Sequence, residues 1–182
     1  MFSTNINRLG MGQCLFKKCI SAAAKNLAEK IFPGGKTMNV KTLLETKGKD
    51  VVSIDAGSTV EDALRVMNSR KISAMMVTEQ SKSKGIFTER DLVKCYLTHE
   101  GKSFKDIMLK DVMTTDLIVA QMDDDLNDIM SVMVEKNIRH LPVVDSGNVI
   151  GMLSIRDVIH THVGKLTSEI HYLKDYITGS YT

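Results

Sequence analysis

Apolar positions along this chain follow two rhythms, one of period two and one near 3.6, and the switches between them mark out its elements. Val40, Leu43 and Leu44 predict a short helix ended at Gly48. Val51 to Ile54 reads as a strand, and Thr59-Val60-Glu61-Asp62 opens a helix with Ser58 or Thr59 as cap. Its predicted buried face is Val60, Ala63, Leu64 and Met67. Ile72 to Thr78 is a second strand, Glu79 to Lys84 a polar turn, Gly85-Ile86-Phe87 a third strand, and Asp91 to Leu97 a helix. A polar connector over 98–112 holds another short helix, Phe104 to Val112. The order then recurs: strand Leu117 to Ala120, helix Leu126 to Glu135, strand His140 to Val144, turn Asp145 to Asn148, strand Val149 to Leu153, helix Arg156 to Val163. A separate amphipathic helix is predicted from Thr167 to Thr178, carrying Ile170, Leu173, Tyr176 and Ile177 and stopped by Gly179.

The recurrence is an internal duplication. Shifting the chain by 66 positions lays Asp50 on Asp116, Asp62 on Asp128, Ile72 on Ile138, Val77 on Val143 and Arg90-Asp91 on Arg156-Asp157, without a gap. Two copies are too few for a solenoid. The expected architecture is therefore α/β (α+β): two tandem β-α-β-β-α units over 38–100 and 101–165, related by a pseudo-two-fold axis. An extension and linker (1–35) precede them, and a C-terminal helix and tail (166–182) follow.

Each unit ends its third strand on a glycine, two apolar residues, a hydroxyl and an aspartate three positions on: Gly85 to Asp91 and Gly151 to Asp157. Thr88-x-x-Asp91 and Ser154-x-x-Asp157 fit the capping box, which needs no ligand and contributes about 1 kcal/mol to a helix start. The duplication adds a second meaning. Two helix N-termini brought to a shared cleft offer amide donors and a positive dipole to a phosphate, and Arg90 or Arg156 adds a charge-assisted donor beside each cap. An aspartate repels phosphate, so Asp91 and Asp157 suit a ribose diol. The strands starting at Val51-Val52 and Leu117-Ile118 can supply an apolar slot for a purine. The site expected on these grounds takes a nucleoside phosphate.

Composition narrows the alternatives. Residues 1–36 hold six basic side chains and one acid, while the rest holds 18 basic and 21 acidic residues. The globular part is thus mildly acidic, and with 5% aromatics and no Trp it lacks the basic groove or stacking platform of a nucleic-acid binder. No apolar run reaches the length of a membrane span. The basic, acid-poor start carries Leu15, Cys19, Ala23, Leu27 and Ile31 on one stripe, as a mitochondrial transit peptide does, with a cytosolic tail or partner-binding helix as the alternative. Cys14, Cys19 and Cys95 have no metal-ligand or disulfide spacing, and His99, His160, His162 and His171 read as surface residues. No P-loop, dinucleotide fingerprint or nucleophile elbow is present, so no catalytic residue is assigned and no enzyme is expected.

The paired hydroxyl-x-x-Asp corners, the entry Lys110-Asp111-Val112-Met113-Thr114 and the run Ile138-Arg139-His140-Leu141-Pro142-Val143-Val144 resemble a tandem pair of CBS (cystathionine β-synthase) domains over about residues 38–165. The second copy matches strongly; in the first, Ser73-Ala74-Met75-Met76 replaces Arg139-His140-Leu141-Pro142. In length and extension the chain is similar to stand-alone mitochondrial CBS-pair proteins of plants and their bacterial relatives. The resemblance implies two repeats whose sheets pack through their helices. It also implies a non-catalytic regulatory role, with AMP, ADP, ATP, NAD(H) or S-adenosylmethionine in the clefts and a change passed to a partner protein, in the plant relatives the thioredoxin system. It places Ser154 and Asp157 on the ribose with Arg156 nearby, Arg139 and His140 on phosphate and Ile118 on the base, with Thr88, Asp91, Arg90 and Val52 as first-copy counterparts. It implies a homodimer too. The competing expectation is a ligand-free dimeric scaffold whose clefts are filled by Met113, Met122 and Met152.

Overall fold

A computed structural model describes residues 38–178. The basic extension, and the import reading that rests on it, lie outside the described residues, as does Gly179. The elements are α1 (Val40–Lys47), β1 (Ser53–Asp55), α2 (Val60–Arg70), β2 (Ala74–Glu79), β3 (Lys82–Thr88), α3 (Glu89–Thr98), α4 (Leu109–Val112), β4 (Ala120–Gln121), α5 (Leu126–Glu135), β5 (His140–Asp145), β6 (Asn148–Ser154) and α6 (Ile155–Thr178).

They form two three-stranded sheets, β1-β2-β3 and β4-β5-β6. In each, the first pair is parallel and the second antiparallel, and the bulges fall between Val77 and Thr78 and between Val143 and Val144, again 66 apart. Both hairpins turn through two residues with positive φ, Gln80-Ser81 (50° and 60°) and Ser146-Gly147 (49° and 82°). That turn matches the twist of the flanking strands, so pairing runs to the turn itself, Glu79 against Lys82 and Asp145 against Asn148. β3 therefore takes in Lys82 to Lys84, which polarity alone assigned to the turn.

The strand alternation divides the apolar residues among three clusters. Met75, Val77 and Phe87 face the core of the first sheet and its helices, and Leu141, Val143 and Leu153 that of the second. Their neighbours Ala74, Met76 and Ile86 point the other way and meet Leu117, Val119, Val149 and Met152 in a cluster spanning both units. The resemblance implied sheets packed through helices. These two instead meet through strand side chains, because β2 is apolar on both faces.

The entry segments cross over between the units. α1 opens the first unit yet packs on the second, Val40, Leu43 and Leu44 joining Leu126, Ile129, Met133, Leu141 and Leu153. Ile107 and Leu109, in the entry segment of the second unit, complete the core of the first. Backbone bonds repeat the exchange in matched form: Val40 N–H to Asp124 O and Leu109 N–H to Ser58 O, both 2.9 Å, and Leu126 N–H to Met38 O and Val60 N–H to Ile107 O, also 2.9 Å. Two glycines permit the crossing. A Cβ on Gly85 would lie 2.6 Å from Thr114 O and 2.9 Å from Met113 Sδ, and one on Gly151 would lie 2.9 Å from both Leu44 methyls.

Three expectations change. Phe104 to Val112 is helical only from Leu109, because Phe104 O and Ile107 O accept the amides of Glu61 and Val60 at the start of α2. The two C-terminal helices are one. Thr167 and Ser168, read as the start of a new helix, return their hydroxyls to Val163 O and Gly164 O, 3.0 Å each. A lone Gly164 lowers helix stability by only about 1 kcal/mol and does not end it. β4 is two residues long and shifted from Leu117–Ala120 to Ala120–Gln121. In the first sheet Met76 N–H bonds Val52 O at 2.9 Å, but Pro142 stands at the matching position and has no N–H to give Ile118.

Candidate functional site

The two corners have closely matched cap geometry. At the first, Thr88 N–H and Oγ1 donate to Asp91 Oδ2 at 2.9 and 2.7 Å, and Asp91 N–H returns a bond to Thr88 Oγ1 at 3.3 Å. At the second, Ser154 N–H and Oγ donate to Asp157 Oδ2 at 2.8 and 2.6 Å, with Asp157 N–H to Ser154 Oγ at 3.3 Å. Glu89 N–H goes to Ser73 O and Ile155 N–H to Arg139 O, at 3.2 and 2.9 Å. The sequence suggested an array of free donors at each helix start. The caps and these carbonyls take most of it, leaving the amides of Arg90 and Arg156 for an anion.

Asp91 is buried and Asp157 half-buried, and each carboxylate is bonded by a side chain from a crossed entry segment. Asp91, 8% exposed, accepts Thr114 Oγ1 at 2.7 Å on its second oxygen. Asp157 forms an ion pair with Lys47, whose Nζ also donates to Met152 O at 2.8 Å. Burial raises the Asp157 pKa, but bonds from Lys47 and Ser154 outweigh it and hold the carboxyl below its ordinary value. Lys47 and Thr114 were not among the expected site residues. Lys47 read only as the end of a helix, and nothing local joins it to a carboxylate 110 positions on.

The other expected residues divide between the corners. His140 pairs with Ser154 across β5 and β6, and its Nε2 lies 3.1 Å from Ser73 Oγ of the first unit, so the imidazole sits in the seam between repeats. Burial lowers its pKa; Glu89 and Asp157 oppose this, Lys47 and Arg139 reinforce it. Arg139 and Arg156 are exposed and make no ion pair among the described residues. Arg90 is tied down: one guanidinium nitrogen donates to Asn137 O and the other lies 3.4 Å from Asn137 Oδ1. The residue matching Asn137 is Lys71, whose side chain has no acceptor to offer Arg156. Val52 and Ile118 are both half-buried; Val52 O carries the bond from Met76, whereas Ile118 O has no such donor.

Around the corners, Met113, Met122 and Met152 flank the first, second and shared cores. Of the four histidines expected at the surface, His160 and His171 are exposed, while His99 and His162 are half-buried, His99 as the C-cap of α3. A hollow of about 260 Å³ lined by Tyr96, His99, Lys102 and Phe104 holds no residue of either corner. Among the described residues no group of three or more His, Cys, Asp or Glu is placed to hold a metal, and no helix is long and apolar enough to cross a membrane.

Comparison with known proteins identifies the fold and the family. The CBS domain family model matches twice, at residues 44–98 and 109–164. The chain is 31% identical over 157 residues to the Arabidopsis thaliana CBS domain-containing protein CBSX3, mitochondrial, covering 81% of this chain and 76% of that one. The crystal structure of the CBS domain NE2398 superposes with a TM-score of 0.67 at 37% identity, over 70% of this chain and 99% of that one. The CBS domain pair of MJ0100, in complex with 5′-methylthioadenosine and S-adenosyl-L-methionine, shares the fold at a TM-score of 0.62 and 22% identity, over 71% and 99%. With its duplicated strand-to-helix corners and its interlocked sheets, this chain belongs to the CBS domain family.

Proposed function

We propose that the chain is a non-catalytic regulatory module that binds an adenosyl ligand (AMP, ADP, ATP, NAD(H) or S-adenosylmethionine) and passes its occupancy to a partner protein, of the thioredoxin system or of metabolism more widely. The observation that carries this reading is the asymmetry of the second corner. There a hydroxyl and carboxylate (Ser154, Asp157) lie with a seam imidazole (His140), two exposed guanidiniums (Arg139, Arg156) and a backbone carbonyl (Ile118) opposite Pro142, which has no N–H to give it. The carboxylate suits a ribose diol, the guanidiniums and the Arg156 amide suit phosphate, and the carbonyl suits an exocyclic amine. The first corner, with Thr88, Asp91, Arg90 and Val52, has its arginine and its carbonyl already engaged and is the weaker site. That a family member of the same fold was crystallised with adenosyl compounds supports the ligand class. The mitochondrial relative and the basic extension support residence in mitochondria.

Occupancy has a route to shape. A ribose reaching Asp157 competes with Lys47, and Lys47 ends α1, which is built into the core of the second unit. The ligand therefore shifts the balance between a paired and an opened Lys47, and with it the seat of α1. Calorimetry with AMP, ATP, NADH and S-adenosylmethionine tests the proposal, and absence of heat with all of them rejects it. Lys47→Met should tighten adenosine binding; equal affinity in the variant and the wild type would take the ribose away from Asp157.

One observation favours a second reading, the ligand-free scaffold. Among the described residues no buried side-chain nitrogen or oxygen lacks a partner, so the closed corners are satisfied as they stand. Asp157→Ala separates the two. A scaffold loses about 1 kcal/mol with its helix cap and nothing else. The regulatory module keeps its fold and loses adenosyl affinity at least roughly tenfold, since a charge-assisted bond is lost.

A further inference from the structure

α6 carries a second periodicity that the repeat core does not use. Ile159, Val163, Leu166, Ile170, Leu173 and Ile177 are spaced alternately by four and three, a strict heptad with Val163, Ile170 and Ile177 at a and Ile159, Leu166 and Leu173 at d. Val158 on the opposite side is 1% exposed and anchors the helix to the second unit. The seam itself is open: Ile159, Val163, Leu166, Ile170 and Ile177 are 47, 54, 48, 54 and 81% exposed. From Val163 onward every described side chain is exposed, so α6 leaves the body and runs on for about 24 Å at 1.5 Å per residue.

We propose that this seam pairs with the same seam of a second copy of the chain, as a parallel two-stranded coiled coil. Three features select that occupant. β-Branched residues at every a position with leucine at two of three d positions favour two parallel strands. The flanking charges agree. In a parallel pair Glu169, at g, stands against Lys174 of the other helix, at e; in the fully overlapped antiparallel pair, with Ile159 against Ile177, Glu169 stands against its own copy. The outward positions Thr161, Gly164, Ser168 and His171 are small or polar, so the helix-weakening glycine lies off the seam. At the base, Val93 and Leu97 of α3, 66 positions before Ile159 and Val163, are also 60 and 72% exposed and give a second copy a wider apolar footing. The proposal goes beyond the ligand reading and stands whether or not a nucleotide binds.

Sedimentation equilibrium of the full chain should show a dimer, and Ile170→Glu should weaken association by roughly 100-fold or more, since it removes an apolar residue from each strand. Thermal unfolding of the body should not change, because Ile170 touches no core. For orientation, Ile177→Cys should oxidise to a 177–177 disulfide, mapped by peptide mass spectrometry to set it apart from Cys14 and Cys19, and faster than the outward Ser168→Cys. In the antiparallel pair the two 177 positions are about 27 Å apart. A monomeric wild-type chain, an Ile170→Glu variant that associates as wild type, or Ile177→Cys linking no faster than Ser168→Cys would overturn the proposal.

Discussion

His140 is the residue through which the two repeats feel pH. Its imidazole is part-buried against Ser73, and that burial disfavours its charge more than Glu89 and Asp157, themselves opposed by Lys47 and Arg139, restore it. The folded-state pKa is lowered, so the unfolded chain binds the proton first as pH falls. Stability should hold above the ordinary histidine value of about 6.5 and decline as pH drops from there through the lowered value. Denaturant melts of wild type and His140→Asn over that window check this; the variant should lose the slope. Asp157 acts at a lower pH. With its pKa depressed, its contribution is present above the ordinary carboxyl value and lost as pH falls through the folded one. At this scale the sequence was legible wherever a residue acts on its near neighbours. Thr59, Thr88 and Ser154 each bond an aspartate three positions on, as their spacing predicts. Lys47 and Thr114 were not legible, because their aspartates lie far along the chain.

Among the elements, those set by local signals fell where the pattern put them. α5 runs from Leu126 to Glu135 as its apolar face and Asp125 cap dictate. Those that deviate do so through a distant partner or a missing donor. β4 is shortened opposite Pro142, and the expected helix from Phe104 gives its carbonyls to the start of α2. The crossings make matched glycines unequal. Gly85→Ala would press on the carbonyl of Thr114, backbone held in an antiparallel bridge with Ile86, whereas Gly151→Ala would press on the movable methyls of Leu44. Urea melts should give a loss of about 1–3 kcal/mol for Gly85→Ala and distinctly less for Gly151→Ala.

For the molecule as a whole, the 66-residue repeat revealed the duplication and its two-fold logic but not the exchange of entry segments, since a hydrophobic stripe does not name the core it will join. α1 looks like the opening of the first unit; Leu44, 1% exposed, belongs to the second. Leu44→Ala should therefore cost about 2–5 kcal/mol, the range for a buried leucine. Hydrogen exchange in the variant should rise first in β5 and β6 while β2 and β3 stay protected. The opposite order would place α1 with the first unit.

That exchange also bears on how the chain is made. Synthesis runs from the N-terminus at a few residues per second, so α1 leaves the ribosome early and has no seat. Met152 and Asp157, which Lys47 must reach, follow 105 and 110 residues later. Among the described elements the first helix to be made is thus among the last to dock: the first unit can close once Ile107 and Leu109 have been made, whereas α1 must wait for the strands of the second.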